Sequence, residues 1–311
     1  MKVAFVDFVF EDTDAIHLEG CEFELHPPLD APEDLPAAVG DADILMTREK
    51  TGIVTAECLD ACPNLKLIVT RTVGYDHIDL AAAKERGIVV CNVPDYGSHV
   101  IAELAFGLML AVGRNVCRGY TRYQRMGYFD DEGLGGPELY GKTLGVIGVG
   151  RVGRHSVRIG QGFGMRIMAC DIAPDEALAA EKGFRYWPKS EVLAASDFIT
   201  LHVDLNESSY HLIDGDALAH VKPGAILVNT SRGPVVDTAA LKEALAAGQL
   251  RGAGLDVVED ELEVYHDFGD ANVVITPHIG WYAEEAVDRI MQISLANVQA
   301  WLEGEPINRL A

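Results

Sequence analysis

The sequence predicts an α/β fold made of two doubly wound parallel-sheet domains, and three observations predict it. Short, continuous apolar runs alternate with helix-period segments over almost the whole chain, the pattern of strands covered on both faces by crossover helices. A glycine-rich strand-to-helix turn begins only near Gly145, so the strands before it belong to another sheet. Two long helical segments break the rhythm where the chain would leave the first domain and return to it.

In the first domain Val3–Phe8, Asp43–Met46, Leu67–Thr70 and Ile88–Cys91 read as strands, with a helix over Thr55–Ala61 among them. Ser98–Arg114 is apolar all round, which marks a buried helix rather than a surface one. In the second domain Thr143–Ile147, Arg166–Asp171, Phe198–His202, Ala225–Asn229, Gly254–Val257 and Val273–Thr276 read as strands. Helices over Arg151–Gly160, Ser190–Ala195 and Thr238–Ala247 lie between them. Tyr282–Glu303 is amphipathic, stops at Gly304 and Pro306, and is expected to pack back on the first domain. The expected division is therefore 1–98 plus 284–311 for one domain, with 99–283 inserted as the other.

Composition narrows the function. The 311 residues suffice for two domains with cores of their own. Lys and Arg number 25 against 48 Asp and Glu, a formal net charge of −23. Such a surface repels phosphate backbones and anionic lipids, so neither nucleic acid nor membrane is the expected partner. No apolar run is long enough for a membrane-spanning helix. The N-terminus reads as a strand broken by Asp7, not as a signal peptide. Six scattered cysteines without a C-x-x-C pair fit reduced thiols in a cytoplasmic protein. Cys58 and Cys62, four apart on a helix, leave a weak metal role open, but no metal is expected.

The segment Thr143–Gly153, TLGVIGVGRVG, carries the first chemical signal. Gly148 permits a tight turn, Gly150 leaves room for a pyrophosphate, and Gly153 lets the helix pack on the strand. With Arg151 and Val152 at the helix start, exposed N–H groups face the phosphates. The next strand ends in Asp171, 18 residues after Gly153. A carboxylate there accepts from the adenosine ribose hydroxyls and repels a 2′-phosphate, so NAD is the expected cofactor of this Rossmann domain. The plainer alternative makes Asp171 a surface cap for the following helix.

Three further polar residues follow strands: Arg232 in NTSRG, Glu261 after GLDVVED, and His278 after VVITP. Reducing a 2-oxo acid needs a grip on its carboxylate, polarisation of its carbonyl and a proton. A guanidinium supplies the first two and an imidazolium held by a carboxylate supplies the third. Each also has a bland alternative: a capping arginine, one acid among several in EDELE, one histidine of ten.

LGVIGVGRVG, NTSRGPVVDTAAL, GAGLDVVEDE and TPHIG stand in the order and spacing of the D-isomer-specific 2-hydroxyacid dehydrogenases, which the chain resembles from about Leu67 to its end. The resemblance implies a Rossmann domain inserted into a flavodoxin-like substrate domain, a hydride transfer between NADH and a small 2-oxo acid, and a homodimer. It implies that Arg232 binds and polarises substrate, that His278 is the acid/base, and that Glu261 is its partner. Leu262 replaces a proline common in the family, so Glu259 and Glu263 remain alternatives for that partner. His202, Val203, Thr230, Ser231, Asp256 and His278 are implied to border the cofactor. RTVGYDHID resembles the carboxylate-binding loop, with backbone N–H groups near Val73 and Gly74 holding the substrate. Tyr96, the GPVVDT segment and Trp281 beside Tyr282 resemble the D-lactate dehydrogenase branch, which points to pyruvate. Glyoxylate or hydroxypyruvate reduction stays open. Formate dehydrogenases lack the glutamate–histidine pairing, and regulated phosphoglycerate dehydrogenases carry an extra C-terminal domain. TPHIGWYAEEA also resembles an NAD-sensing corepressor group that keeps this fold as a binding protein.

Overall fold

The computed structural model describes residues 1–7, 16–29, 31–48, 53–259 and 267–311. They divide into two units, Met1–Tyr96 with Glu284–Ala311, and Gly97–Ala283.

The first unit contains β1 (Lys2–Phe5), β2 (Glu22–Leu25), α1 (Leu35–Val39), β3 (Ile44–Thr47), α2 (Ala56–Ala61), β4 (Leu67–Thr70), α3 (Leu80–Glu85) and β5 (Val89–Cys91). Its strands run in the order β2-β1-β3-β4-β5, and all neighbours are parallel. Alternation along each strand feeds two cores, because successive side chains point to opposite faces. Ala4, Val6, Leu45, Ile68 and Val90 pack with Leu35, Leu59 and Ala83 from the three helices. Val3, Phe5, Ile44, Met46, Leu67 and Val69 pack with Val298, Met291 and Trp301. Those last residues belong to the C-terminal helix Glu284–Leu302, which returns to this unit and buries Ala286, Ile290, Ser294, Asn297 and Val298 along one stripe. Strand β2, with sequence EFEL, is not anticipated by the sequence. It sits at the sheet edge with its two glutamates exposed, so it lacks the apolar run of an interior strand.

The second unit opens with α4 (Ser98–Gly113) and α5 (Val116–Met126). It continues through β6 (Thr143–Ile147), α6 (Arg151–Gly162), β7 (Arg166–Cys170), α7 (Glu176–Lys182), β8 (Arg185–Tyr186), α8 (Lys189–Ala195) and β9 (Phe198–Leu201). Then follow α9 (Gly215–Ala219), β10 (Ala225–Asn229), α10 (Thr238–Ala246), β11 (Leu250–Leu255) and β12 (Val273–Ile275); the C-terminal helix of the first unit is α11. The sheet order is β12-β11-β10-β9-β6-β7-β8, again parallel throughout.

Helix α4 is buried as its composition demands: Ala105, Phe106, Leu108, Met109 and Val112 join Leu144, Val146, Phe198, Ile226 and Val228 in one core. Strand β11 begins four residues before the predicted Gly254, because Gly252 and Gly254 interrupt its apolar run. Both are glycine for a packing reason. A Cβ at 252 would stand 2.6 Å from Val112 Cγ1, and one at 254 would stand 2.8 Å from Leu108 Cβ. Two-residue β8 is too short to show a period. No single helix among the described residues is long and apolar enough to cross a membrane.

Since every strand of this sheet runs the same way, the residues that follow the strands share one edge. The order reverses between β6 and β9, and in open α/β sheets such a reversal opens a crevice at the carboxyl ends of the strands.

Candidate functional site

The glycine turn joins β6 to α6. Gly148 has φ +88°, and a Cβ there would lie 2.3 Å from the His202 carbonyl oxygen and 2.9 Å from Val203 Cγ1. His202 and Val203, which follow β9, therefore pack directly on the turn. At Gly153 a Cβ would meet the Gly148 carbonyl oxygen at 2.0 Å, so the helix can approach only without one. Gly150 differs: a Cβ there meets nothing within 4 Å. It is the N-cap of the 12-residue α6 and offers no side-chain cap, so the N–H groups around Arg151 and Val152 face a space that suits a pyrophosphate.

Asp171 follows β7 and does not cap α7. That task falls to Asp175, whose side chain accepts from Leu178 N. Asp171 Oδ2 instead accepts from Val149 N at 2.6 Å and Oδ1 from Ala173 N at 2.8 Å. The acid thus stiffens the glycine turn and keeps lone pairs for further donors. Two buried atoms nearby along the same strand ends have no partner among the described residues, His202 Nδ1 and Thr230 Oγ1. Unsatisfied polar atoms of this kind fit a polar ligand along that edge. Burial pushes the His202 ring pKa down to about 3. The ring is therefore neutral, with Nε2 2.8 Å from Ser156 Oγ and 3.0 Å from Thr200 Oγ1.

The turn after β10 is organised by Asn229, which sequence reasoning passed over. Its Oδ1 accepts from Ser231 N and Ser231 Oγ, and its Nδ2 donates to the Arg232 carbonyl at 2.9 Å. The Arg232 guanidinium folds back through Nη1 onto the Ser231 carbonyl. Thr230 and Ser231 are buried, so the turn presents a fixed backbone rather than loose side chains.

His278 follows β12 with φ +53°, a left-handed conformation that a non-glycine residue holds only when its surroundings enforce it. The enforcing group is Asp256, 2% exposed at the end of β11. Its Oδ1 accepts from Thr276 Oγ1 at 2.6 Å and Ile279 N at 2.9 Å, and its Oδ2 accepts from Gly280 N at 2.7 Å. The Asp256 carbonyl accepts from His278 N itself. Gly280 must be glycine, since a Cβ there would stand 2.8 Å from Asp256 Oδ2. Trp281 Nε1 donates to the His278 carbonyl at 3.0 Å, and its ring leans on Tyr282 at 4.8 Å. The resemblance implies that Asp256 borders the cofactor and that Trp281 belongs to the substrate side; the structure shows both holding the backbone around His278.

In the first unit the loop after β4 is held by its carbonyls. Asn92 Nδ2 donates to the Val73 carbonyl, and Thr72 Oγ1 donates to the Gly74 carbonyl at 2.6 Å. The N–H groups of Val73 and Gly74 donate to nothing among the described residues. Just before them Arg71, also unanticipated, is buried with Nη2 donating to the Val6 and Asp7 carbonyls. Its guanidinium lies 4.3 Å from the Phe5 ring centroid. Burial first, then the charge of Arg48, lowers its pKa to about 9 against the opposing pull of Asp7, which leaves it cationic at neutral pH. Tyr96 is buried at the end of this unit, and its carbonyl accepts from Arg289 Nε.

Glu261 and Glu263 lie outside the described residues. Glu259 lies inside them and meets a different histidine: its Oε1 is 2.6 Å from His211 Nε2 and its Oε2 accepts from Thr238 N. Among the described residues no cluster of three His, Cys, Asp or Glu is arranged to hold a metal.

Comparison with known proteins identifies the family. A model of the NAD binding domain of D-isomer specific 2-hydroxyacid dehydrogenases matches residues 106–280. The glyoxylate reductase of Pyrococcus furiosus is 40% identical over 282 residues, which cover 88% of this chain and 83% of that protein. The hydroxypyruvate reductase of Thermotoga maritima is 41% identical over 264 residues, 83% of this chain and 84% of its own. The solved D-lactate dehydrogenase of Aquifex aeolicus, complexed with NAD and lactic acid, superposes with a TM-score of 0.85 at 33% identity, covering 97% of this chain and 96% of that one. A domain match over more than half the chain, and relatives this similar along most of their length, make this protein an NAD-dependent member of the D-isomer specific 2-hydroxyacid dehydrogenase family.

Proposed function

We propose that this dehydrogenase interconverts a two- or three-carbon 2-oxo acid and its 2-hydroxy acid, the D isomer where that carbon is chiral, with Arg232 gripping substrate and His278 moving the proton. NAD, when bound, supplies or takes up the hydride. An imidazolium nitrogen of His278 gives a proton to the carbonyl oxygen in reduction, and the neutral ring takes it back in oxidation. The Arg232 guanidinium binds the substrate carboxylate and polarises its carbonyl. The observation that carries this reading is the Asp256 clamp. A buried carboxylate with three donors and a strained histidine is a costly arrangement that serves to fix one side chain's place.

The first unit supports the same reading. Val73 and Gly74 offer two N–H donors, and the buried Arg71 beside them adds a positive charge. That combination meets the demand of an anionic substrate on a chain of net charge −23. Glyoxylate and hydroxypyruvate are favoured over pyruvate, because the relatives named for them are 40% and 41% identical against 33% for the lactate-bound structure. Pyruvate keeps support from Tyr96 and the Trp281–Tyr282 pair.

A homodimer in the cytoplasm completes the proposal. Helix α5 and the loop after it expose Val116, Tyr120, Tyr123, Met126, Tyr128 and Phe129, the last 95% exposed, an apolar strip suited to a second copy of this chain. All six cysteines are free thiols, as a reducing compartment allows.

The test is NADH consumption with glyoxylate, hydroxypyruvate and pyruvate in parallel, for the parent and for His278→Gln. The expected result is turnover of at least one acid by the parent, and a loss in kcat of about 10²–10⁴-fold in the variant at unchanged NADH affinity. A variant with parental kcat removes His278 from the mechanism.

A further inference from the structure

The pair formed by His211 and Glu259 belongs to no step described above, yet it joins the two segments that flank the Arg232 turn. On one side His211 N donates to the Pro234 carbonyl at 2.8 Å and Ile213 N to the Val235 carbonyl at 3.0 Å. Both acceptors lie within four residues of Arg232. On the other side Gly233 rests against the chain beyond β11. A Cβ there would stand 2.0 Å from the Val258 carbonyl oxygen and 2.6 Å from Glu259 N. Glu259 closes this frame, with Oε1 2.6 Å from His211 Nε2 and Oε2 accepting from Thr238 N at the start of α10.

The pair shows signs of being built rather than incidental. His211 has φ +47°, a conformation that costs free energy in a non-glycine residue. Its ring stacks on Tyr210 with centroids 4.1 Å apart and planes at 16°. Both side chains are largely shielded, at 29% and 19% exposure. Burial alone would raise the Glu259 carboxyl, but the His211 hydrogen bond and the Thr238 N–H outweigh it and hold the group below its ordinary range. Asp237 stands further off, 3.9 Å from His211 Nδ1, and is occupied in capping α10 through Ala240 N.

We propose that His211 and Glu259 are a positioning pair for Arg232: their hydrogen bond ties residues 209–213 to residues 258–259 and so fixes the turn that carries the substrate-binding guanidinium between them. This rests on the role given to Arg232 above. The pair touches neither the glycine turn at 148–153 nor Asp171, so its loss should weaken the handling of the 2-oxo acid far more than the binding of the dinucleotide.

The experiment compares the parent with His211→Phe, His211→Gln, Glu259→Gln and the His211→Phe/Glu259→Gln double variant. The readouts are kcat and KM for the 2-oxo acid and the Kd of NADH from its fluorescence. His211→Phe keeps the stacking on Tyr210 but cannot donate, and should lower kcat/KM about tenfold with NADH Kd within about twofold of the parent. His211→Gln restores a donor and should recover most of the loss. In the double variant the effects should not add, because one bond cannot be lost twice. If His211→Phe does not fold, Glu259→Gln, which keeps shape, must show the same split by itself. Unchanged kcat/KM, an equal loss of NADH affinity, additive effects or failed recovery by glutamine each overturn the pairing. A parent that turns over none of the three acids sinks the reaction proposed above and this role with it. An active parent with insensitive variants sinks this role alone.

Discussion

Arg71 in the first unit and Asp256 in the second are charged side chains buried just after a parallel strand, and the two are satisfied very differently. Asp256, after β11, accepts from one hydroxyl and two amide N–H groups spread over both its oxygens. Arg71, after β4, gives two hydrogen bonds from a single nitrogen to two carbonyls, while its buried Nε has no partner among the described residues. A buried charge with good hydrogen bonds to both oxygens acts as a strut. One whose hydrogen bonds go to neutral carbonyls is not neutralised by them and leaves part of its field to act on what lies beside it. The difference suggests a division of labour in which the carboxylate fixes geometry and the guanidinium supplies potential.

The largest effect should come from breaking the strut. Asp256→Asn keeps the volume but turns one acceptor into a donor, which must then face Gly280 N or the pair of Thr276 Oγ1 and Ile279 N. An unsatisfied buried group of that kind costs about 1–3 kcal/mol, and the left-handed turn at His278 loses what holds it. We expect kcat to fall by about 10² or more, since misplacing a reacting group by about 1 Å has that order of effect. Urea unfolding should show a lower midpoint in the same variant. A variant with reduced stability but parental kcat would make Asp256 an ordinary core residue and end the contrast.

A smaller effect is expected at Arg71, and it should appear in a different constant. Arg71→Met keeps the unbranched stem against Phe5 while removing the charge. KM for the 2-oxo acid should rise roughly tenfold, about 1.4 kcal/mol, with little change in kcat. Arg71→Lys, assayed near pH 6.5 so that the amine stays charged, should recover part of that rise if the field matters. Equal losses in both variants would show that Arg71 is a strut like Asp256.

What was legible in the sequence follows the range of the interactions involved. The glycine turn and the acid that stiffens it could be read because they lie close together: Gly148, Gly150 and Gly153 span one turn, and Asp171 follows the next strand. Arg232 and His278 were visible as polar residues after apolar runs, and the resemblance gave them roles. The Asp256 clamp was not legible, since its hydrogen bonds join residues 20 to 24 positions apart and nothing local says that both oxygens face inward. Asn229 was hidden for the opposite reason: an asparagine ending a strand is ordinary, and only its three bonds to the Arg232 turn distinguish it. Arg71 left one trace, a guanidinium closing an otherwise apolar strand ahead of a glycine loop. Glu259 was weighed as a partner for His278, and spacing alone gave no hint that His211 would claim it. Strand β2 escaped because its edge position lets charged residues alternate with Phe23 and Leu25.

The smallest effect sharpens the comparison with a third buried polar side chain, one that avoids charge altogether. His202 stays neutral because burial lowers its pKa from the ordinary 6.5 to about 3. The unfolded chain therefore binds a proton as pH falls through about 6.5, whereas the folded chain does so only near 3. The contribution to stability is thus complete above pH 6.5 and is lost progressively as pH falls toward 3. Each pH unit inside that window is worth about 1.4 kcal/mol, so comparing pH 6.5 with pH 5 at one temperature gives a difference on the order of 2 kcal/mol. His202→Asn cannot titrate there, and its absolute stability will differ because Ser156 and Thr200 lose the ring nitrogen between them. The informative quantity is the change with pH. Urea unfolding of parent and variant at the two pH values should show the parent losing more stability than the variant by that amount, and parallel losses would mean that the ring is already protonated, or already exposed, in the folded protein.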